Sequence, residues 1–267
     1  MTTVDTDFLQ KPIPNVAKTA YRLGLAVNKG ITANAIEAAL TDTPVNYIYW
    51  TPFSGKVTPV VRRALARDRD RYILATGPAF GYFGFQVRRF AHRMLKLLNT
   101  DYLDILQIHW LGRMSALNES TEEALLKLVE EGKVRAVGVS IHDRPREGQL
   151  AAESALTHLM IRYNAAHPGA EQDIFPHVDR NKTNICAYTA TRWGKLLARP
   201  AGWQGELMTA GDCYRFCLSN DDVNVVLTGP KNEKQLHENI AALEKGPLST
   251  EEDKWMRKFG ASVRASS

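Results

Sequence analysis

Eight short β-rich runs alternate with segments of helical period through nearly the whole chain, and this alternation restricts the fold more than any other feature. The runs occupy residues 21–27, 45–50, 72–77, 102–110, 134–142, 158–164, 184–189 and 223–229. Between them, segments such as 32–40, 60–67, 86–98, 121–131, 213–218 and 233–243 carry apolar residues at three- to four-residue spacing. Strand and helix in strict alternation is the pattern of parallel βαβ units. Eight such units close a barrel, which takes about 250 residues, and the 267 residues here suffice for one. A doubly wound open sheet also alternates, but it carries a G-x-G-x-x-G turn after its first strand. Ala26-Val27-Asn28-Lys29-Gly30 does not supply that turn. The expected fold is therefore α/β, a single (β/α)8 TIM barrel over residues 1–267, with 249–267 as a C-terminal helix and tail.

Local signals refine this outline. Residues 1–20 are available to cover the bottom of the barrel. Ser120 or Thr121 is expected to cap the helix over 121–131, and Gly132 to end it. Residues 251–259 read as a helix capped by Ser249 or Thr250. From residue 192 to 208, Pro200, Gly202, Trp203 and Gly205 mark a long irregular connection after the seventh strand, at the end of a barrel where loops shape access.

Composition excludes several function classes. No apolar run approaches the roughly 18 residues of a membrane span, and the opening MTTVDTDFLQKP lacks the basic-then-apolar order of a secretory signal. A soluble, cytoplasmic protein without a membrane partner is expected. The net charge of +5 is dispersed in short clusters, Arg62/Arg63, Arg88/Arg89 and Lys231/Lys234, separated by acids, so no nucleic-acid partner is expected either. Cys186, Cys213 and Cys217 cannot all pair, and they lack a second ligand pair for a metal. Buried reduced thiols and no metal site follow.

The run Leu98-Asn99-Thr100-Asp101-Tyr102-Leu103-Asp104-Ile105-Leu106-Gln107-Ile108-His109-Trp110 resembles the fourth helix and strand of the aldo-keto reductase superfamily. Leu23-Gly24-Leu25 is similar to that family's first strand, residues 130–140 to its fifth, and Tyr163-Asn164 to its sixth. Residues 229–239, GPKNEKQLHEN, resemble the eighth-strand loop and helix that hold the phosphate of NADP(H) there. The resemblance covers residues 20–243 and implies the barrel fold together with NADP(H)-dependent carbonyl reduction.

That family reduces carbonyls with a tyrosine acid supported by a lysine, an aspartate and a histidine, and three of the four are replaced here. Asn46-Tyr47-Ile48-Tyr49-Trp50-Thr51 places Tyr49 at the aspartate, Ser54 falls at the tyrosine, and Gly77 stands where the lysine belongs. Only His109 remains. A phenol with an ordinary pKa near ~10 needs a neighbouring ammonium to tune it. Ser54 is a far weaker acid, and Gly77 provides no charge. Loss of the lysine side chain would vacate volume that Tyr49 can enter, bringing its phenol towards His109. Tyr49 then reads either as a relocated acid facing His109 or as a plug in a disused site. His109 reads either as a working residue at the mouth or as a satisfied polar group.

The resemblance places Ser140 and Tyr188 on the nicotinamide side, Tyr188 as the stacking ring of a Tyr188-Thr189-Ala190-Thr191-Arg192-Trp193-Gly194 segment. Met160 and Ile141 replace the glutamine and asparagine that often contact the nicotinamide amide. Gly229, Lys231, Gln235, Glu238 and Asn239 fall in the nucleotide-holding run, where a glycine turn into a helix start presents N–H groups to an anion; the competing reading is a plain capped helix. Arg162, two residues after Met160, shares its inward face and could bind a carboxylate or phosphate, or pair with Glu171. His167, Arg192 and Trp193 are further mouth candidates, with surface or anchoring roles as the alternative. The expected protein is an atypical aldo-keto reductase-like oxidoreductase using NADP(H), with Tyr49, His109 and Arg162 as catalytic candidates. Its substrate would be a small carbonyl or alcohol, anionic or aromatic in character. A non-redox lyase, isomerase or cyclase on the same barrel, or a catalytically silent binding protein, are the alternatives.

Overall fold

The computed structural model describes residues 6–28 and 30–266. A short helix α1 (Thr6–Leu9) leads into an antiparallel hairpin, β1 (Gln10–Ile13) and β2 (Lys18–Tyr21). Eight parallel strands follow: β3 (Leu23–Ala26), β4 (Tyr47–Tyr49), β5 (Ile73–Thr76), β6 (Leu103–Ile108), β7 (Val134–Ser140), β8 (His158–Arg162), β9 (Asn184–Tyr188) and β10 (Val225–Thr228). Each pairs with its sequence neighbour, and β10 closes on β3 through Val226↔Leu23. The architecture is the closed (β/α)8 barrel that the alternation predicts.

The strands are buried on both faces, which is why they read as continuous apolar runs. One set of side chains fills the barrel interior, including Tyr47, Ile73, Ala75, Ile105, Ala136, Met160, Cys186 and Val225. The alternate set, with Leu25, Ile48, Leu74, Leu106 and Val137, packs under the helices. The hairpin places Ile13, Val16 and Ala20 against the interior set, so residues 10–21 close the bottom; of the segment 1–20 expected there, residues 1–5 lie outside the described residues.

The surrounding helices are α2 (Ala33–Asp42), α3 (Thr58–Arg67), α4 (Gly84–Leu98), α5 (Glu119–Glu130), α6 (Arg144–Glu153), α7 (Ala170–Asp173), α8 (Ala210–Leu218), α9 (Glu233–Leu243) and α10 (Thr250–Ala265). Two details differ from expectation. The cap of α5 is Asn118, whose side chain accepts the Thr121 N–H at 3.1 Å, while Ser120 instead accepts the Gly84 N–H from α4 at 3.0 Å. Helix α10 starts after Ser249 as expected but continues to Ala265, six residues further than its apolar spacing indicated. Gly132 does end α5, at a φ of +68° that suits glycine.

The motif that carried the family resemblance works at the bottom of the barrel, away from the mouth. Asp104 is fully buried on β6 and meets Lys18 at 2.9 Å and Arg69 at 2.7 Å, with Arg135 at 3.9 Å. It also accepts the Leu74 N–H at 2.9 Å. The Tyr102 ring lies against the guanidinium groups of Arg69 and Arg135, at 3.8 and 4.0 Å from its centroid. Hairpin, β5, β6 and β7 are thereby tied together through one carboxylate.

Candidate active site at the barrel mouth

Tyr49 ends β4 two residues after the inward Tyr47, and His109 follows β6 four residues after the inward Ile105, so strand alternation turns both inward at the mouth. The Tyr49 hydroxyl lies 2.9 Å from His109 Nε2, with the two rings edge-on at 5.8 Å. Gln107, two residues before His109 on the same face, points its Nε2 at His109 Nε2 (3.0 Å) and at Met160 Sδ (2.8 Å). A thioether only accepts, so the nitrogen end of the amide faces that side. The amide oxygen of Gln107 then accepts from His158 Nε2 at 2.6 Å, and Asn184 Nδ2 donates to His158 Nδ1 at 2.7 Å. A buried polar chain thus runs from the mouth at Tyr49 down through β6, β8 and β9.

This chain fixes the state of each ring. With Nε2 accepting, His109 donates its other N–H to the Gly77 carbonyl, a bond that favours the charged form. Burial outweighs it and lowers the His109 pKa to about 4. Burial, with His109 as a second cause, lowers His158 to about 3. Tyr49 is shifted upward, chiefly by desolvation, and the Gln107 amide opposes that shift only in part. Both imidazoles are neutral and Tyr49 keeps its proton at neutral pH.

At Gly77, where the resemblance places a lysine, the structure leaves no room for one, and here the sequence-based picture needs correction. No vacated volume lies beside it. A Cβ on Gly77 would stand 1.6 Å from the Gln107 carbonyl oxygen and 3.2 Å from His109 Cε1. The backbone of β6 has closed over the place where the lysine stem would run. Ser54 is buried in the β4–α3 turn, 3.5 Å from Thr51 Oγ1, with its carbonyl accepting from Thr58. The structure joins it to no other side chain of the mouth.

Across the mouth, Tyr188 at the end of β9 shares its hydroxyl with His142, 3.1 Å from Nδ1, and with Ser140. Burial is the largest cause raising Tyr188 to about 12, reinforced by Glu147 and opposed by Arg162. Met160, at the glutamine position, spends its sulfur on Gln107, and Ile141 is buried under the helices. Arg162 is half-buried and in register with Tyr188. The expected alternative of an Arg162–Glu171 pair is not formed, because Glu171 binds Arg257 at 2.9 Å and the Tyr163 hydroxyl. His167 lies near Arg162; burial first, then Arg162 and three further arginines, lower its pKa to about 4.

At the nucleotide-holding run, Gly229 and Lys231 are exposed at the start of α9. Asn232 caps that helix, accepting the Gln235 N–H at 3.0 Å, and Gln235 in turn accepts the Lys231 N–H at 2.8 Å. Asn239 is buried and donates to Thr228 Oγ1 at 3.1 Å, while Glu238 lies 3.9 Å from Lys234 on the surface. Gln235 and Asn239 are therefore partly engaged in holding the β10–α9 junction.

Sequence reasoning missed Gln107, His142, His158 and Asn184. The signal available was a polar residue at an inward, period-two position: Gln107 two before His109, and His142 two after Ser140. Glu147 gave no such signal, because an acid on a polar helix reads as solvated; it is 1% exposed, and burial pushes its carboxyl well up.

Fold and mouth together define a barrel of the aldo-keto reductase type. The Aldo/keto reductase family model matches residues 14–201, and the chain belongs to that family. It is 29% identical over 185 residues to aldo-keto reductase YhdN of Bacillus subtilis, covering 65% of this chain and 52% of that protein. It is also 33% identical over 98 residues to methylglyoxal reductase YeaE of Escherichia coli, covering 36% of this chain and 34% of that protein. The match thus spans about half the length of the first relative and a third of the second. Among solved structures, aldo-keto reductase AKR11C1 from Bacillus halodurans in its holo form superposes with a TM-score of 0.77 at 20% identity, over 94% of this chain and 95% of that one. Glycerol dehydrogenase AKR11B4 from Gluconobacter oxydans does so at 0.74 and 19%, over 95% of each chain. These likenesses establish the shared barrel.

Proposed function

We propose that this protein is an oxidoreductase of aldo-keto reductase type that uses NADP(H) on a small carbonyl or alcohol substrate, with Tyr49 as proton donor in place of the tyrosine that the resemblance expects at Ser54. The observation that carries the reading is the 2.9 Å contact between Tyr49 and His109 Nε2, at the mouth of a barrel of this family. NADP(H), when bound, supplies or accepts the hydride. Tyr49 presents an O–H that can turn from His109 to a developing alkoxide, and Gln107 stabilises the phenolic oxygen left behind. His109, held neutral, takes no proton from Tyr49 at rest and orients its hydroxyl.

The residues fit the two ends of the nucleotide unequally. The exposed Lys231 and the start of α9 suit a 2′-phosphate and its adenosine. Ser140 and the Tyr188 ring suit a flat nicotinamide, but Met160 and Ile141 offer its carboxamide no polar partner. That deficit is the specific observation favouring a second reading, a non-redox lyase, isomerase or cyclase using the same Tyr49–His109 pair. Buried, unpaired Cys186, Cys213 and Cys217 suit a reducing compartment, and we place the protein in the cytoplasm. No helix among the described residues is long and apolar enough to cross a membrane.

The test is titration with NADPH followed by turnover of a carbonyl panel. Binding and turnover in the wild type, with kcat lowered by about 10²-fold or more in Tyr49→Phe and by a comparable factor in His109→Ala, is expected. No response to millimolar NADPH discards the oxidoreductase, and unchanged turnover in Tyr49→Phe removes Tyr49 as the donor.

A further inference from the structure

On the β4–β6 side of the mouth, Trp110 directly follows His109, its ring 6.0 Å away and 40% exposed, and Phe53 stands 80% exposed four residues after Tyr49. On the β7–β9 side stands the half-buried cation Arg162, with Trp193 and Asp143 exposed on the neighbouring connections. Arg162 rises from β8 one inward step above Met160, and two residues of strand rise roughly 7 Å. Met160 touches Gln107, which touches His109. Arg162 and Tyr49 thus both face the mouth, linked through Met160, Gln107 and His109.

Arg162 is also uncompensated. No hydrogen bond or ion pair joins its side chain to a described residue, and Glu171, the acid nearest in sequence, is taken by Arg257. The connections at residues 50–57, 77–83, 109–118 and 163–169 contain no acid, while Lys56 and Arg113 lie on them; Asp143 and Glu206, on the connections after β7 and β9, are exposed, and neither is hydrogen-bonded or ion-paired to Arg162. Glu147, whose charge reaches Tyr188, is pushed towards its neutral form by burial. The same positive field, after burial, holds His142 below the ordinary imidazole range, with Arg162 and then Arg113 as the charges responsible. A half-buried guanidinium with no ion-pair partner among the described residues is poised for an anion from solution. One planar fork matches one carboxylate through two parallel bonds, whereas a phosphate dianion calls for further donors.

We propose that the substrate is a planar carbonyl compound bearing a carboxylate: the carboxylate seats on Arg162, the ring lies towards Trp110, and the carbonyl meets Tyr49. This assignment rests on the oxidoreductase reading for its carbonyl, but the carboxylate subsite is testable without turnover. The probes are 4-carboxybenzaldehyde and its methyl ester, which share a ring and an aldehyde and differ in charge.

Calorimetric binding of both probes, and of NADPH, is measured for wild type, Arg162→Met and Arg162→Lys. The wild type should bind the acid roughly 10- to 100-fold more tightly than the ester, the range expected for a charged hydrogen-bonded pair. Arg162→Met should bring the acid down to the level of the ester, and Arg162→Lys should recover part of the difference. The Arg162 side chain bonds to no described residue, so both variants should keep the wild-type melting temperature. If this pattern holds and no NADPH is consumed, the carboxylate subsite stands and only the oxidoreductase reading falls. Equal binding of acid and ester by the wild type overturns the subsite, as does a preference that survives in Arg162→Met or failure of both probes to bind at millimolar concentration. A loss of NADPH affinity in Arg162→Met matching the loss for the acid also overturns it, because Arg162 would then serve the nucleotide.

Discussion

Replacing Asp104 with alanine should cost far more than any surface ion pair, and the structure sets the scale. The carboxylate is wholly buried between Lys18 and Arg69, whose side chains are only 7% and 18% exposed. Removing it strands two cations where solvent reaches poorly, and breaking a buried pair of this kind costs about 3–5 kcal/mol. The Leu74 N–H also loses its acceptor, but that loss overlaps the first and the two do not add. We expect destabilisation of about 4 kcal/mol, which in a chain of this size lowers the melting temperature by roughly 10 °C. Arg135→Gln is the internal control: at 3.9 Å and 32% exposed, Arg135 should contribute under about 1 kcal/mol. The defect should also depend on pH. Burial lowers the Lys18 pKa and Asp104 opposes that shift, so without Asp104 the folded pKa falls further below the unfolded one. A base depressed on folding is least costly where it is already neutral, so the Asp104→Ala defect should shrink as pH rises towards the ordinary lysine range. Differential scanning calorimetry at several pH values reads both effects. A melting temperature within about 2 °C of wild type would refute the reasoning.

Three further outcomes follow from the mouth. Burial keeps Tyr49 protonated well past the ordinary phenol range, so if Tyr49 is the donor the reduction rate should stay flat to about pH 10; a downturn centred near pH 9 would sink the assignment. His109 and His158 titrate at about 4 and about 3 when folded, below the unfolded value near ~6.5, so the stability tied to their neutral forms is complete above about pH 6.5 and is lost as pH falls through that window. Urea unfolding should show stability declining from pH 6.5 to 4.5, with a shallower decline in His158→Gln; identical slopes would contradict it. Gly77→Ala should destabilise by about 3 kcal/mol, since its Cβ meets the β6 backbone and not a movable side chain; a thermal melt matching wild type would count against the close approach.

The barrel was legible because each of its strands is sandwiched, so apolar residues occupy both parities and the runs stand out. Helix α6 did not stand out, since its buried face consists of Glu147, Gly148 and Ala151. The cap of α5 was misplaced because Ser120 has the right chemistry but serves α4, a tertiary contact no local pattern reveals. Tyr49 and His109 could be brought together from the sequence by asking what fills a lost lysine, although what filled it was the backbone of β6. The links through Gln107, His158 and Asn184 depend on the register of four strands, which a linear reading does not contain. Asp101-Tyr102-Leu103-Asp104 marked the family reliably because it secures the scaffold, and for that reason it says nothing about the reaction.

The carbonyl of Gln107 standing over Gly77 also bears on how this protein can change. A codon change restoring lysine would place its stem inside a neighbouring strand, so the ordinary tetrad cannot be rebuilt one substitution at a time. Recovery would require β5 and β6 to part, releasing His109 from the Gly77 carbonyl in the same move. Residue 77 and the backbone of β6 are therefore coupled: a side chain at this position can be accommodated only together with a shift of the neighbouring strand.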